Sequence, residues 1–216
     1  MKSKREWVEA TRQVRELGLP RHPTTEKHWD SLAMVACVLE TMPRTARILD
    51  AGGGLYSVIL PWLFLYGYRT LTAVNLSFTK AVRRGPIRYE PGDITKLAFP
   101  DASFDVVICQ SVLEHGVDVS AFLGEASRVL RPGGLLLVSV DYSDRPIDVT
   151  AIRVIDPNYS VFNRGSIGAL TETARGMGLT VTGPVDLECH EPAVRRNAFG
   201  LAYTFLMLAF AKAPVE

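Results

Sequence analysis

The chain has 216 residues, 47% of them hydrophobic, and a formal net charge of +1. That length and apolar content supply one sizeable core and point to a single domain. The charge balance disfavours nucleic acid or another polyanion as partner.

Cys37, Cys109 and Cys189 are odd in number and far apart, with no C-x-x-C. A disulfide framework or a zinc site therefore lacks support, and reduced thiols in a cytoplasmic protein are expected. No apolar stretch follows Met1, so no secretory signal is read there. The most apolar run, Leu201–Ala211, falls short of the ~20 residues that span a bilayer, so no membrane partner is expected.

In chain order, apolar residues at helical spacing over Lys4–Leu17 predict a first helix, stopped by Gly18. A second helix is predicted over Glu26–Thr41. Residues 1–45 thus read as a helical extension covering a site on the domain formed by 46–216. The first strand is Arg47–Ala51. It runs into Gly52-Gly53-Gly54, where glycine lets the backbone turn sharply and bring its N–H groups close to a ligand. A helix is predicted over Tyr56–Tyr66, with Pro61 about one turn in at a real cost. Arg69–Asn75 is the second strand, Ser77–Arg84 leaves room for two turns of helix, and Ile87–Glu90 is the third strand.

Phe104–Gln110 is almost wholly apolar, as a strand covered on both faces should be. A loop with Glu114, His115 and Gly116 leads to a helix over Val119–Leu130. Arg131–Gly134 reads as a turn, Leu135–Asp141 as the fifth strand, and Tyr142–Phe162 as a long irregular connection. After a helix over Gly165–Met177, two strands, Leu179–Glu188 and Leu201–Ala211, follow with no helix between them. They form a hairpin, joined by a loop that contains His190, Arg195 and Arg196. The fold class is α/β: a Rossmann-like, doubly wound, mostly parallel sheet of seven strands that ends in an antiparallel hairpin, with N-terminal helices.

From Arg47 onward the sequence resembles the class I S-adenosylmethionine-dependent methyltransferases, within them the small-molecule enzymes. Five elements carry the resemblance: Asp50-x-Gly52-x-Gly54; the end of the second strand at Asn75; Gly92-Asp93-Ile94; Phe104-Asp105-Val106-Val107 leading to Leu113-Glu114-His115; and Arg128–Gly134. The resemblance implies S-adenosylmethionine as cofactor. Asp50, Gly52, Gly53 and Gly54 would meet its amino-acid end, and Asn75 with Leu76 the ribose. Asp93 and Ile94 would meet the adenine, and Gln110 and Ser111 the sulfonium. Trp29 reads either as a core anchor or as part of a roof over the cofactor.

The acceptor is expected to be a small molecule methylated at oxygen or nitrogen. Tyr142, Arg145, Arg153 and Tyr159, at or beyond the end of the fifth strand, are its expected contacts, because long loops at this edge carry function. His115 is the expected general base, since its ordinary pKa suits proton transfer near neutrality. A loop histidine that only shapes the site is the alternative. No metal is expected, and a homodimer is left open.

The chain departs from the family pattern at two positions. Tyr56 stands where a third glycine is common, and Asn75 stands where the family has an acid. A carboxylate accepts from both ribose hydroxyls, whereas a carboxamide offers one acceptor and one donor group. These departures motivate a second reading, a non-catalytic module that binds the cofactor or a partner. A nicotinamide-dependent dehydrogenase is argued against by the terminal strand pair, and a nucleic-acid methyltransferase by the lack of an Asn-Pro-Pro-Tyr motif.

Overall fold

The computed structural model describes residues 1–189 and 191–214. Its helices are α1 (Lys4–Glu16), α2 (His28–Thr41), α3 (Ile59–Leu65), α4 (Val119–Val129) and α5 (Arg164–Gly176). The strands are β1 (Arg47–Ala51), β2 (Thr70–Asn75), β3 (Val82–Arg84), β4 (Ile87–Pro91), β5 (Phe104–Gln110), β6 (Leu130–Tyr142), β7 (Leu179–Val181), β8 (Val194–Arg196) and β9 (Leu201–Lys212).

They form one sheet in the order β3-β4-β2-β1-β5-β6-β9-β7, with β8 paired to β9. The pairings β1–β2, β1–β5, β2–β4 and β5–β6 are parallel. β9 is antiparallel to both β6 and β7 and runs between them. The class is the expected one, but the described residues form nine strands, not seven. The segment read as two helical turns ends instead in edge strand β3, antiparallel to β4. β8 forms within the loop expected to join the last two strands. His190 and the last two residues of the expected 46–216 unit lie outside the described residues.

Two apolar layers flank the sheet. On one side Phe122, Leu123 and Ala126 of α4 and Ile167, Leu170 and Ala174 of α5 pack on β5 and β6. On the other, Val14 of α1 and Met34, Val35 and Val38 of α2 share a core with Ile48, Ile59, Trp62 and Ile108. The N-terminal helices are thus built into the main core.

Three boundaries have local causes. α3 starts at Ile59, not Tyr56, which places Pro61 in its first turn, where an amide has no intrahelical acceptor to lose. β7 ends at Val181 because Gly183, at φ +80°, and Pro184 turn the chain away. The Arg131–Gly134 segment is the irregular start of β6, with the β5 register shifting between Phe104 and Val106.

Candidate active site

Parallel strands β1, β2, β4, β5 and β6 deliver their carboxyl ends to one edge, the usual ligand side of an open α/β sheet. Two cavities lie there. The first, of about 320 Å³, is lined by the glycine turn, Lys27, Ser111, Glu114, Asp141 and Tyr159, among others. The second, of about 300 Å³, is lined by Asn75, Leu76, Asp93, Ile94 and Thr95 with the Gly116–Asp118 loop. Gly52, Val112 and His115 belong to both.

The glycine turn is shaped by close approach. Gly52 has φ +92°, and a Cβ there would meet the Val112 side chain at 2.5 Å. A Cβ on Gly53 would lie 2.2 Å from Asp50 Oδ2. Asp50 is buried at the end of β1, and its Oδ2 accepts from Ser57 Oγ at 3.0 Å. Burial pushes its carboxyl up to about 6, against the lowering effect of the Ser57 bond. Among the described residues only the Ser57 hydroxyl offsets that burial, and such a carboxyl suits a ligand ammonium group.

Asn75 serves the backbone. Its Nδ2 donates to the Gly52 carbonyl at 2.5 Å and its Oδ1 accepts from the Ser77 amide at 2.8 Å. Asp93 accepts from both the amide and the hydroxyl of Thr95, at 2.8 and 2.7 Å, which holds its carboxyl below the usual range. Leu76 is exposed and Ile94 buried in the same cavity wall.

Lys27, just before α2, joins four elements. Its Nζ donates to Ser111 Oγ, lies 3.6 Å from Asp141 Oδ1 and 4.0 Å from Asp30 Oδ2, and sits 3.5 Å from the Phe205 ring centroid. Beneath it, Gln110 Nε2 donates to Asp30 Oδ1 at 2.8 Å and Ser31 Oγ at 2.7 Å, and Ser139 Oγ donates to Asp30 Oδ2 at 2.8 Å. Asp30 is fully buried, and that burial raises its carboxyl. Gln110 therefore ties α2 to β5 as well as reaching the cavity wall.

The segment carrying Lys27 is itself fixed by His28. Its Nε2 accepts from the His22 amide at 3.0 Å, so Nδ1 carries the proton and faces Thr11 Oγ1 at 3.0 Å. Burial lowers the His28 pKa and favours the neutral ring.

In the Tyr142–Phe162 connection, the expected lid, Tyr159 donates to Asp141 Oδ2 at 2.7 Å. Burial, then the Asp141 charge, pushes the Tyr159 phenol upward. His115 Nδ1 lies 2.5 Å from Asp156 Oδ2, and the Ser160 amide donates to the Glu114 carbonyl at 2.8 Å. Glu114 is buried, and burial pushes its carboxyl well above the usual range, helped by the nearby Asp141 charge.

Four expected contacts line neither cavity. Trp29 donates to Glu6 Oε2 at 3.2 Å and faces α1. Lys27, Asp30, Ser31 and Met34 share one face of the helix, and Trp29 lies with Leu32, Ala33 and Ala36 on another. Tyr142 is buried in the core, its hydroxyl donating to the Leu187 carbonyl at 2.8 Å. Arg153 Nε donates to the Tyr159 carbonyl at 3.0 Å, and the Arg145 amide donates to Ser143 Oγ at 3.1 Å, so both brace the lid. The sequence reading missed Lys27, His22, Tyr203 and Arg196 as cavity wall, because their placement depends on contacts between distant parts of the chain.

The chain is similar to known proteins in sequence and in fold. A methyltransferase domain family model matches residues 49–138. The chain is 35% identical over 124 residues to a ubiquinone biosynthesis O-methyltransferase of Caulobacter sp. (strain K31), covering 52% of this chain and 47% of that protein. It spans about half or less of the length of such curated relatives. The YcgJ protein from Bacillus subtilis superposes with TM-score 0.64 at 18% identity, over 87% of this chain and 100% of that one. The Burkholderia thailandensis 1,6-didemethyltoxoflavin-N1-methyltransferase, solved with 1,6-didemethyltoxoflavin and S-adenosylhomocysteine, superposes with TM-score 0.60 at 21% identity, over 97% and 87%. At those identities the structures establish a shared fold, and the sequence matches add the kinship. Residues 49–138 match a methyltransferase domain, and together these similarities support a class I S-adenosylmethionine-dependent methyltransferase.

Proposed function

We propose that the chain transfers the methyl group of S-adenosylmethionine to an oxygen or nitrogen of a small-molecule acceptor. The observation that carries the reading is the meeting of two cavities at Gly52 and Val112 on the carboxyl edge of the sheet. A ligand with an amino-acid end and a nucleoside end fits that pair. When bound, S-adenosylmethionine supplies an electrophilic methyl on a cationic sulfur. The protein's part is mainly positioning and electrostatics.

Asp50 would pair with the ligand ammonium, and the close backbone of Gly52, Gly53 and Gly54 leaves room for that end. Asn75, Leu76, Asp93 and Ile94 would enclose the nucleoside. Gln110 and Ser111 would lie by the sulfur. Residues 1–45 would close the first cavity through His22, Thr24 and Lys27. Tyr159 would meet the acceptor, while Tyr142, Arg145 and Arg153 support the lid behind it.

His115 is the proposed proton acceptor. Asp156 Oδ2 accepts from Nδ1–H, so in the neutral ring Nε2 keeps its lone pair. The three free thiols fit a cytoplasmic setting. One observation favours the second reading, a cofactor-binding module without catalysis: both ends of the Asn75 carboxamide are engaged by backbone.

Calorimetry with S-adenosylhomocysteine, followed by incubation of radiolabelled S-adenosylmethionine with a small-molecule library, tests both. Heat and label in a small molecule are expected. Heat without label would favour a cofactor-binding module, and no heat at millimolar ligand would sink the transfer reading and favour a module that binds a partner.

A further inference from the structure

The other end of the strands, opposite the candidate active site, carries a separate cavity of about 520 Å³. Residues 92–103 join β4 to β5 without a helix, and Ala98 and Phe99 of that connection form one wall. Ile87 and Tyr89 of β4 pack with Leu71 and Ala73 of β2 in the core on the far face of the sheet. Side chains alternate along a strand, so Thr70, Thr72, Arg88 and Glu90 stand on the cavity face. Arg47, which opens β1, lines the same space, its guanidinium carbon 5.9 Å from the Phe104 ring centroid.

The pairing of β3 with β4 sets Arg83 directly opposite Arg88. Side chains opposed in this way share a face, and like charges there repel. Arg88 is paired with Glu90, the one carboxylate in the wall among the described residues. Arg83 and Arg47 have no ion-pair partner among those residues. Arg69, at the rim, gives its guanidinium to the Phe64 and Tyr68 carbonyls, at 2.9 and 3.0 Å. Three guanidinium groups against one carboxylate leave the wall with an excess of positive charge. Charge on an edge strand guards against pairing with other chains, which would account for Arg83. It gives no reason for Arg47, on interior strand β1, to line the same wall.

We propose that this cavity binds a small molecule carrying two neighbouring phosphate groups. Neighbouring strands stand about 4.8 Å apart, so Arg83 and Arg88 hold one phosphate between them and their repulsion is relieved. Arg47, two strands from Arg88, meets the second phosphate. Guanidinium forks match phosphate oxygens in pairs, and the delocalised charge suits an anion of this size. The Thr70 hydroxyl adds a donor, and Pro86 and Phe99 meet the apolar part of the molecule. A single carboxylate would offset only part of the excess charge. The glycine turn lies at the opposite ends of these strands, so the occupant is not the methyl acceptor.

Calorimetric titration of the full chain with inorganic pyrophosphate tests this, with orthophosphate and ionic-strength-matched sodium chloride as controls. Pyrophosphate is expected to bind with a dissociation constant below about 1 mM, and orthophosphate at least about tenfold more weakly. Arg83 is exposed and has no partner to orphan, so Arg83→Gln leaves the packing intact. That variant is expected to bind pyrophosphate at least about tenfold more weakly than wild type. Arg175→Gln, which removes the same charge from α5, is expected to bind it as wild type does. No heat from pyrophosphate beyond the chloride control, or orthophosphate binding of equal strength, would overturn the proposal on the wild-type chain alone. Undiminished binding in Arg83→Gln, or equal losses in the two variants, would also overturn it.

Discussion

The Asn75 carboxamide nitrogen donates to the Gly52 carbonyl oxygen at 2.5 Å and so ties the end of β2 to the glycine turn after β1. Where related enzymes carry an acid, this chain uses a donor that an acid at neutral pH does not have. Asn75→Asp would set a carboxylate against that carbonyl. We expect it to lower stability by about 1–3 kcal/mol, measured by urea denaturation. S-adenosylhomocysteine should bind no more tightly than to wild type, and a tighter complex would show that the tie is dispensable.

Asp50 makes stability fall as pH rises. The native carboxyl keeps its proton up to about pH 6, whereas the unfolded one loses it near 3.9. Between those values the native state binds more protons, so raising the pH through the window costs stability, and the cost is complete above it. Two pKa units correspond to about 3 kcal/mol. Asp50→Asn is therefore expected to melt higher than wild type at pH 8 and to converge with it below pH 4, while S-adenosylhomocysteine affinity drops. Thermal melts across that range would contradict this account if the two curves ran parallel.

Gly53→Ala places a methyl 2.2 Å from Asp50 Oδ2, so the carboxylate or the turn must move. Overpacking of this kind costs about 1–3 kcal/mol. The larger effect should fall on the ligand, with a rise of at least about tenfold in the dissociation constant of S-adenosylhomocysteine, read by calorimetry, if displacing Asp50 loses a charge-assisted contact. Unchanged affinity would remove Asp50 and the turn from the site.

Lys27→Met would leave Asp30 and Asp141 buried without their cation. Removing one partner of a buried pair typically costs about 3–5 kcal/mol. The loss should be largest at alkaline pH and shrink in acid, where Asp30, already raised by burial, takes up a proton. Urea denaturation at pH 5 and pH 8 checks the sign. A loss independent of pH would mean that Lys27 acts through packing on Phe205 alone.

Strands covered on both faces were the most legible part of the sequence. Arg47–Ala51 and Phe104–Gln110 match β1 and β5 to the residue, because a short, mainly apolar run bounded by polar turns has little else to become. Edge structure was less legible. Ser77–Arg84 has no core-facing period, and the strand it ends in exists only because β4 offers an open edge. The end of β7 could have been read from Gly183-Pro184. In the site, Lys27 could have been preferred to Trp29 from helical phase, since Lys27, Asp30, Ser31 and Met34 follow the spacing of one face. Asp141 and Glu114 are adjacent only after β5 and β6 pair, and no local pattern announces that.

The placement of β9 between β6 and β7 also sets a schedule for the newborn chain. β7 finds no neighbour in the sheet until β9 arrives, and β6 keeps one side unpaired through the synthesis of some sixty later residues. Long-range closure of this kind is slow and leaves a strand edge open to other chains. A ribosome-held chain that stops before Leu201 is expected to be cut readily within β6 by added protease. Protection should appear only once residues 201–212 have emerged. The first cavity, which draws on Asp141 of β6 and Tyr203 of β9, would then be the last part of the molecule to exist.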